Sequence, residues 1–242
     1  MADISGTGVY ELVREHYAVV GCDPSNATHL TIVQEHSGVE VSYIAENAFK
    51  NNTSLKNVSM PHIPYIGQNA FEGCTALTDV SMQSVTYIGS YAFAGCTALT
   101  NVSMQSVQRI SEHAFAGCAS LLDVDTPTLK FLGNFAFANC TSFSNLYLPD
   151  GLQYLGSSAY QGSSMTSVRL PTNTFNAPQA SFANSAITNI TLPGSMGVTD
   201  IINNIQQSEE KHTIADGMCY QCPNLVSVVI EEGITFIRSS AF

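Results

Sequence analysis

Basic residues are scarce in this sequence: 8 Lys and Arg stand against 19 Asp and Glu, a formal net charge of −11. A nucleic-acid backbone needs a basic track, and the few cations here are scattered, so nucleic-acid binding is excluded. Anionic membrane surfaces are disfavoured for the same reason. Charge of either sign makes up only 11% of the 242 residues, against roughly 25% in an average domain. Ser, Thr, Asn, Gln and Gly must therefore cover much of the surface, as in secreted or cell-surface modules and in many repeat proteins. The first residues, MADISGTGVYELVREHYAVV, lack the basic stretch and apolar run of a signal peptide. No stretch reaches the roughly 18 apolar residues of a membrane span, so no membrane insertion by this segment is expected. The chain stops at IRSSAF, inside a repeat, which reads as a fragment of something longer.

Catalytic signatures are missing as well. The sequence has no HExxH, GxSxG, P-loop or dinucleotide fingerprint. His16, His29, His36, His62, His113 and His212 are dispersed, and no spacing of Ser, His and Asp singles out a triad. No enzyme activity, cofactor or metal is expected. His29 and His36 stand near Glu35 and Glu40, but surface polar residues account for them.

What the sequence does have is a period. Phe49, Phe71, Phe93, Phe115 and Phe137 are 22 residues apart, and Tyr160 and Phe182 follow at 23 and 22. Cys219 takes the same position after 37 residues and Phe242 after a further 23. Three adjacent copies read NAFEGCTALTDVSM, YAFAGCTALTNVSM and HAFAGCASLLDVDT. Each carries an apolar skeleton, as in Phe71, Cys74, Leu77, Val80 and Met82. Val80 and Met82, two apart, share one face of a short strand. A further apolar residue precedes each aromatic by five, from Ile44, Ile66, Ile88 and Ile110 to Leu132 and Leu155. One such unit cannot bury its apolar side alone, whereas a stack of identical units can. The expected fold is a mainly β (or α/β) leucine-rich-repeat solenoid of about nine turns. Its short parallel strands stack in a right-handed coil, roughly 40 Å long at the usual strand spacing.

Departures from the period locate the remaining parts. Residues 1–40 lack the full repeat and read as an N-terminal cap, with a helical pattern in TGVYELVREHYAVVG that ends strand-like, followed by a strand and turn in HLTIVQEHSG. The solenoid follows over 41–242, with an insertion near 194–213. There Asp200 is placed to cap a helix from about Ile201 to Gln207. The Tyr160 and Phe182 copies are one residue short before their Leu-equivalent positions.

Cys74, Cys96, Cys118 and Cys140 occupy one rung position. A column of equivalent atoms about 15 Å long cannot close into a zinc tetrahedron, and free buried thiols are expected. Cys219 and Cys222, in CYQC, admit a redox pair or half a metal site. Their register offers a simpler account, with Cys219 in the Phe column and Cys222 in the Cys column. Cys22 has no partner by pattern. Glycosylation sequons begin at Asn26, Asn51, Asn52, Asn57, Asn101, Asn139 and Asn189, several of them expected by chance in so Asn- and Ser-rich a chain.

The pattern IGxxAFxGCxxLTxVxM, seen as IGQNAFEGCTALTDVSM and IGSYAFAGCTALTNVSM over about residues 39 to 242, resembles the BspA-like class of leucine-rich repeats. Members are surface or secreted proteins of bacteria and of mucosal protists such as trichomonads, associated with adhesion to host proteins, fibronectin included, and with co-aggregation. The resemblance implies a cell-surface or secreted location, although the segment itself leaves a cytoplasmic one open. It also implies a protein or glycoprotein partner, extracellular matrix included. The Met-rich copies MQSVTYIG and MQSVQRIS point to a trichomonad-type member.

Side chains between the inward positions form two outward columns on the strand face. One holds Asn57, Asp79, Asn101, Asp123, Asn145 and Ser167; the other holds Ser59, Ser81, Ser103, Asp125, Tyr147, Arg169 and Thr191. The columns turn charged and aromatic at Asp123, Asp125, Tyr147 and Arg169, the residue types that anchor protein interfaces. Those four are the candidate partner-binding residues. Acidic residues there lack the formed loop of six to eight oxygens that calcium takes. The expected function is a non-enzymatic protein-binding or adhesive module. The alternative is a self-associating structural scaffold that uses an open stack end.

Overall fold

The computed structural model describes residues 5–13, 16–23, 25–122, 124–144, 146–171, 180–192, 213–214, 218–219, 221–230 and 236–237. In chain order its strands are β1 (Ser5–Val13), β2 (His16–Asp23), β3 (His29–Thr31), β4 (Glu35–His36), β5 (Val39–Ile44), β6 (Asn57–Ser59), β7 (Tyr65–Ile66), β8 (Asp79–Ser81) and β9 (Tyr87–Ile88). There follow β10 (Asn101–Ser103), β11 (Arg109–Ile110), β12 (Phe131–Leu132), β13 (Tyr154–Leu155), β14 (Ser167–Arg169), β15 (Asn189–Leu192), β16 (Thr213–Ile214), β17 (Ser227–Ile230) and β18 (Phe236–Ile237). No α-helix occurs among the described residues. The protein is a mainly β solenoid of stacked parallel strands.

Each full coil contributes twice. A front ladder runs β3, β6, β8, β10, all parallel, with Leu30, Val58, Val80 and Val102 in register. A back ladder runs β5, β7, β9, β11, β12, β13, with Ile44, Ile66, Ile88, Ile110, Leu132 and Leu155 in register. The front ladder resumes as β14, β15 and β17, and β16 pairs with β18. A third set of bonds ties the turns together: the amide N–H of Phe49 donates to the Ala70 carbonyl at 2.7 Å, that of Phe71 to Ala92 at 2.7 Å, and that of Phe115 to Ala136 at 2.8 Å. Three bonded seams around each coil satisfy backbone groups that a packed interior could not leave unpaired.

Inside this frame the repeated apolar residues form columns. Phe71, Phe93, Phe115, Leu77, Leu99, Leu121, Met60, Met82 and Met104 are all buried. The Phe rings stack nearly parallel at 4.8 Å between Phe49 and Phe71 and at 5.1 Å for the next three pairs. That matches the strand spacing of about 4.8 Å, so the ladders set the ring separation. It opens to 5.5 Å between Phe137 and Tyr160 and to 5.9 Å between Tyr160 and Phe182, around the copy that is one residue short before its Leu-equivalent position. Met165 and Ile187 fill the Leu column in those shorter copies, both buried. Phe143 occupies it one copy earlier, tilted 42° against Phe137 and 48° against Tyr160.

The N-terminal segment differs from expectation. In place of a helical pattern in TGVYELVREHYAVVG, β1 and β2 form an antiparallel hairpin, with Val13 opposite His16 and Gly8 opposite Cys22. Parallel pairing of β1 with β3 and of β2 with β5 joins the front and back ladders into one 13-stranded sheet. Two strands give both ladder ends main-chain partners at once; a helix bonds only within itself. Tyr10 stacks on His36 at 4.5 Å, and Tyr17 meets the same ring edge-on at 4.8 Å, which accounts for that histidine. The proposed helix at Ile201–Gln207 lies outside the described residues.

Candidate binding faces

The front face follows from the two-residue alternation of β6, β8 and β10. Val58 and Val80 point inward, so Asn57, Asp79 and Asn101 form one outward column and Ser59, Ser81 and Ser103 the other. Asn101 Nδ2 donates to Asp79 Oδ1 at 3.0 Å and Thr78 Oγ1 donates to Asp79 Oδ2 at 2.7 Å. These bonds, the Thr78 one foremost, hold the Asp79 carboxyl below its ordinary range. A shallow depression of about 230 Å³ opens here, lined by His29, Thr31, Asn57, Ser59, Asp79 and Ser81 among others. Its lining side chains are mostly short, with Leu30 and Val58 among them, and among the described residues no group of three or more His, Cys, Asp or Glu is placed to hold a metal.

The predicted anchors lie further along. Asp125 is exposed and accepts a bond from Gln105 Nε2 at 3.0 Å. Tyr147 is the most exposed aromatic among the described residues, at 62%. Arg169 is exposed at the end of β14, opposite Thr191. Asp125 and Tyr147 sit in segments with no assigned strand, although Val124 and Leu148 beside them stay buried and keep the inward register. Asp123 lies outside the described residues.

A second outward column belongs to the back ladder. The residue before each inward Ile or Leu is Tyr43, Tyr65, Tyr87, Arg109, Phe131 or Tyr154, and the ladder holds these six in register. Tyr65 and Tyr87 stack at 4.6 Å, and Phe131 and Tyr154 at 4.4 Å. Between the two pairs the Arg109 guanidinium lies 3.7 Å from the Phe131 ring centre and 6.0 Å from that of Tyr87. Four residues further along each coil, Tyr91, His113 and Phe135 stack at 4.7 and 4.8 Å. Sequence reasoning missed this face. Its signal in the sequence is an aromatic one residue ahead of the Ile column at the same period, at Tyr43, Tyr65, Tyr87, Phe131 and Tyr154.

The thiols face inward. Among the described residues no cysteine is in a disulfide. Each Sγ of the main column donates to a Phe carbonyl of the preceding coil: Cys74 to Phe49 at 3.0 Å, Cys96 to Phe71 and Cys118 to Phe93 at 3.1 Å, and Cys140 to Phe115 at 3.2 Å. Burial pushes the Cys118 thiol up and that of Cys140 to about 12. Cys222, half-buried, donates to the Phe182 carbonyl at 3.0 Å. A hydrogen bond from the Cys219 thiol holds Cys222 below the ordinary thiol value, while the same contact raises Cys219.

Two seams of short parallel strands, a buried ladder of repeated side chains and outward polar columns define a leucine-rich-repeat solenoid. The chain belongs to the BspA type leucine-rich-repeat family, whose model matches residues 25–130 and 108–242 in 6 copies. Among solved structures it is similar to a leucine-rich repeat protein from Bacteroides ovatus, with 22% identity, 96% of this chain and 74% of that chain covered, and a TM-score of 0.68. A leucine rich cell surface protein from Faecalibacterium prausnitzii matches at 20% identity over 96% and 83% of the two chains, with a TM-score of 0.60. The T. pallidum leucine-rich repeat protein matches at 22% identity over 95% and 83%, with a TM-score of 0.56. No curated protein matches the chain. These likenesses carry the fold. Leucine-rich-repeat solenoids of this kind are generally protein-interaction modules and typically non-catalytic. Among the described residues no helix is long and apolar enough to cross a membrane.

Proposed function

We propose that this chain is a non-enzymatic protein-binding module with an adhesive role toward host-cell or matrix proteins, displayed at a cell surface or secreted. Tyr147 carries the reading. An aromatic ring left 62% exposed in the same outward register as Asp125 and Arg169 is costly to hydrate and well suited to anchor a partner. Asp123, Asp125, Tyr147 and Arg169 form the proposed anchor, and residues 1–40 serve as a cap. The name of the Faecalibacterium protein, a cell surface protein, supports the location. The Met-rich repeat supports a trichomonad-type member. The test is binding to immobilised fibronectin and to mucosal glycoprotein by the parent chain and by a Tyr147→Ala, Arg169→Ala double variant. The expected result is saturable binding that weakens at least about tenfold in the variant, the loss of one or two anchor side chains. Equal binding by both proteins would remove these residues from the site.

One observation favours the alternative, a self-associating scaffold. Val226, just before β17, and Val229 and Ile230 within it are 85%, 51% and 44% exposed, an apolar surface at a sheet end of the kind that pairs with another chain. Concentration-dependent oligomers in light scattering that disappear on Val226→Lys with Val229→Lys would support it.

A further inference from the structure

The back ladder holds a feature that stacking alone does not explain. At the centre of an aromatic column the repeat places an arginine, Arg109, between Tyr87 and Phe131. Its guanidinium carbon lies over the Phe131 ring, 3.7 Å from the centre. A cation held this way is orientated by the ring while its N–H edge remains open for a planar, two-point acceptor. Arg109 is exposed and has no carboxylate partner among the described residues. Lys130, exposed on the next coil with its amide bonded to the Gln108 carbonyl at 2.9 Å, likewise has no ion-pair partner among them. In a chain with 8 cations and 19 carboxylates, Arg109 in the aromatic strip and Lys130 just before Phe131 on the next coil are two cations with no ion-pair partner among the described residues. The nearby carboxylate Glu112 lies 3.6 Å from His113 Nε2.

We propose that this strip is a docking surface for an acidic segment of a partner protein, a carboxylate of which is gripped at two points by Arg109. The ring contacts favour a peptide over a sugar. Sugars stack on open ring faces, whereas here the faces of Tyr65, Tyr87, Phe131 and Tyr154 largely cover one another at 4.4 to 4.6 Å. What the strip offers is ring edges and phenol oxygens around a fixed cation, which suits apolar side chains flanking a glutamate or aspartate. The surface lies on the opposite ladder from Tyr147 and Arg169 and extends the protein-binding reading to a second face.

The test uses fluorescence anisotropy on the full chain with two labelled peptides, one alternating Glu with Leu and the other identical but with Gln for Glu. The Glu peptide is expected to bind at least about tenfold more tightly than the Gln peptide, with an advantage that shrinks as salt rises. Arg109→Gln is expected to abolish that preference. Arg109→Lys is expected to reduce it, because an ammonium keeps the charge but not the planar fork. Tyr147→Ala with Arg169→Ala is expected to leave it unchanged, so failure of the front-face anchor and failure of this proposal are distinguishable. Circular dichroism melts matching the parent exclude misfolding as the cause. Equal affinity for both peptides, or a Glu preference that survives Arg109→Gln, overturns the proposal. So does binding of a hyaluronan oligosaccharide but neither peptide, or binding of neither peptide alongside chain dimers that Arg109→Gln dissolves.

Discussion

Two residues before the column aromatics, and two residues after them and after Cys219, the backbone enters the left-handed region. The first set comprises Asn47, Asn69, Tyr91, His113, Phe135, Ser158 and Ala180, and the second Asn51, Gly73, Gly95, Gly117, Asn139, Gly162, Asn184 and Gln221. Gly and Asn dominate the second set because they tolerate positive φ best. At Gly95 φ is 71°, and Gly95→Ala is expected to cost about 1 to 2 kcal/mol in equilibrium urea unfolding. The thiols give a pH signature. Burial raises the folded pKa of Cys140 from 9.0 to about 12, so the folded state keeps a proton that the unfolded state releases. This contribution is intact below the unfolded value and is lost as pH rises from 9.0 towards 12, at up to about 1.4 kcal/mol per pH unit for one thiol. Urea midpoints are expected to fall over that interval, and less steeply in Cys140→Ala measured against its own neutral-pH value. Cys222 behaves oppositely: half-buried and held low by Cys219, it is expected to be alkylated by iodoacetamide at neutral pH before Cys96, Cys118 and Cys140, as peptide mass mapping would show.

Apart from β1, β2 and β5, the elements are rungs of two to four residues, too short to persist alone; each persists through its neighbours above and below. Phe115 shows the dependence, with Phe93 and Phe137 stacked on its two faces at 5.1 Å. Phe115→Ala opens a cavity that the seams prevent from collapsing, and a loss of about 3 to 5 kcal/mol is expected by urea titration. At this scale the sequence was partly legible. The Phe, Cys, Leu and Val columns could be read because each recurs at a fixed interval and each is inward. The Ile column was visible, but not that it marked a second ladder, since two-residue strands leave no alternation to detect. Val9, Glu11 and Val13 could be read as helix or strand, and pairing with β3 and β5, a tertiary effect, decided it. The anchors at Asp125 and Tyr147 were placed on strands by extrapolating the period, whereas their exposure, not strand pairing, is what the structure displays there.

Across the whole molecule the regular interior explains why most of the conspicuous residues are unavailable for recognition. The inward ladders absorb Cys74, Cys96, Cys118, Cys140 and Cys219 as well as the Phe column, and what differs from coil to coil lies outside: Asp79 and Asn101, then Asp125, Tyr147 and Arg169 in front, and the aromatic strip around Arg109 behind. Variation on a constant frame is how a solenoid acquires distinct faces without changing its fold. The central claim is that the 22-residue register governs both interior and surface. Deleting residues 94–115 tests it most directly, because Phe93 is then followed by AGCASLLDV and every column stays in phase with one rung removed. The account predicts a soluble chain with an unchanged β-type circular dichroism spectrum and one cooperative urea transition, its m-value lower by about a tenth, since m follows the surface buried. A chain that loses its β signal, or melts in separate steps, would contradict it.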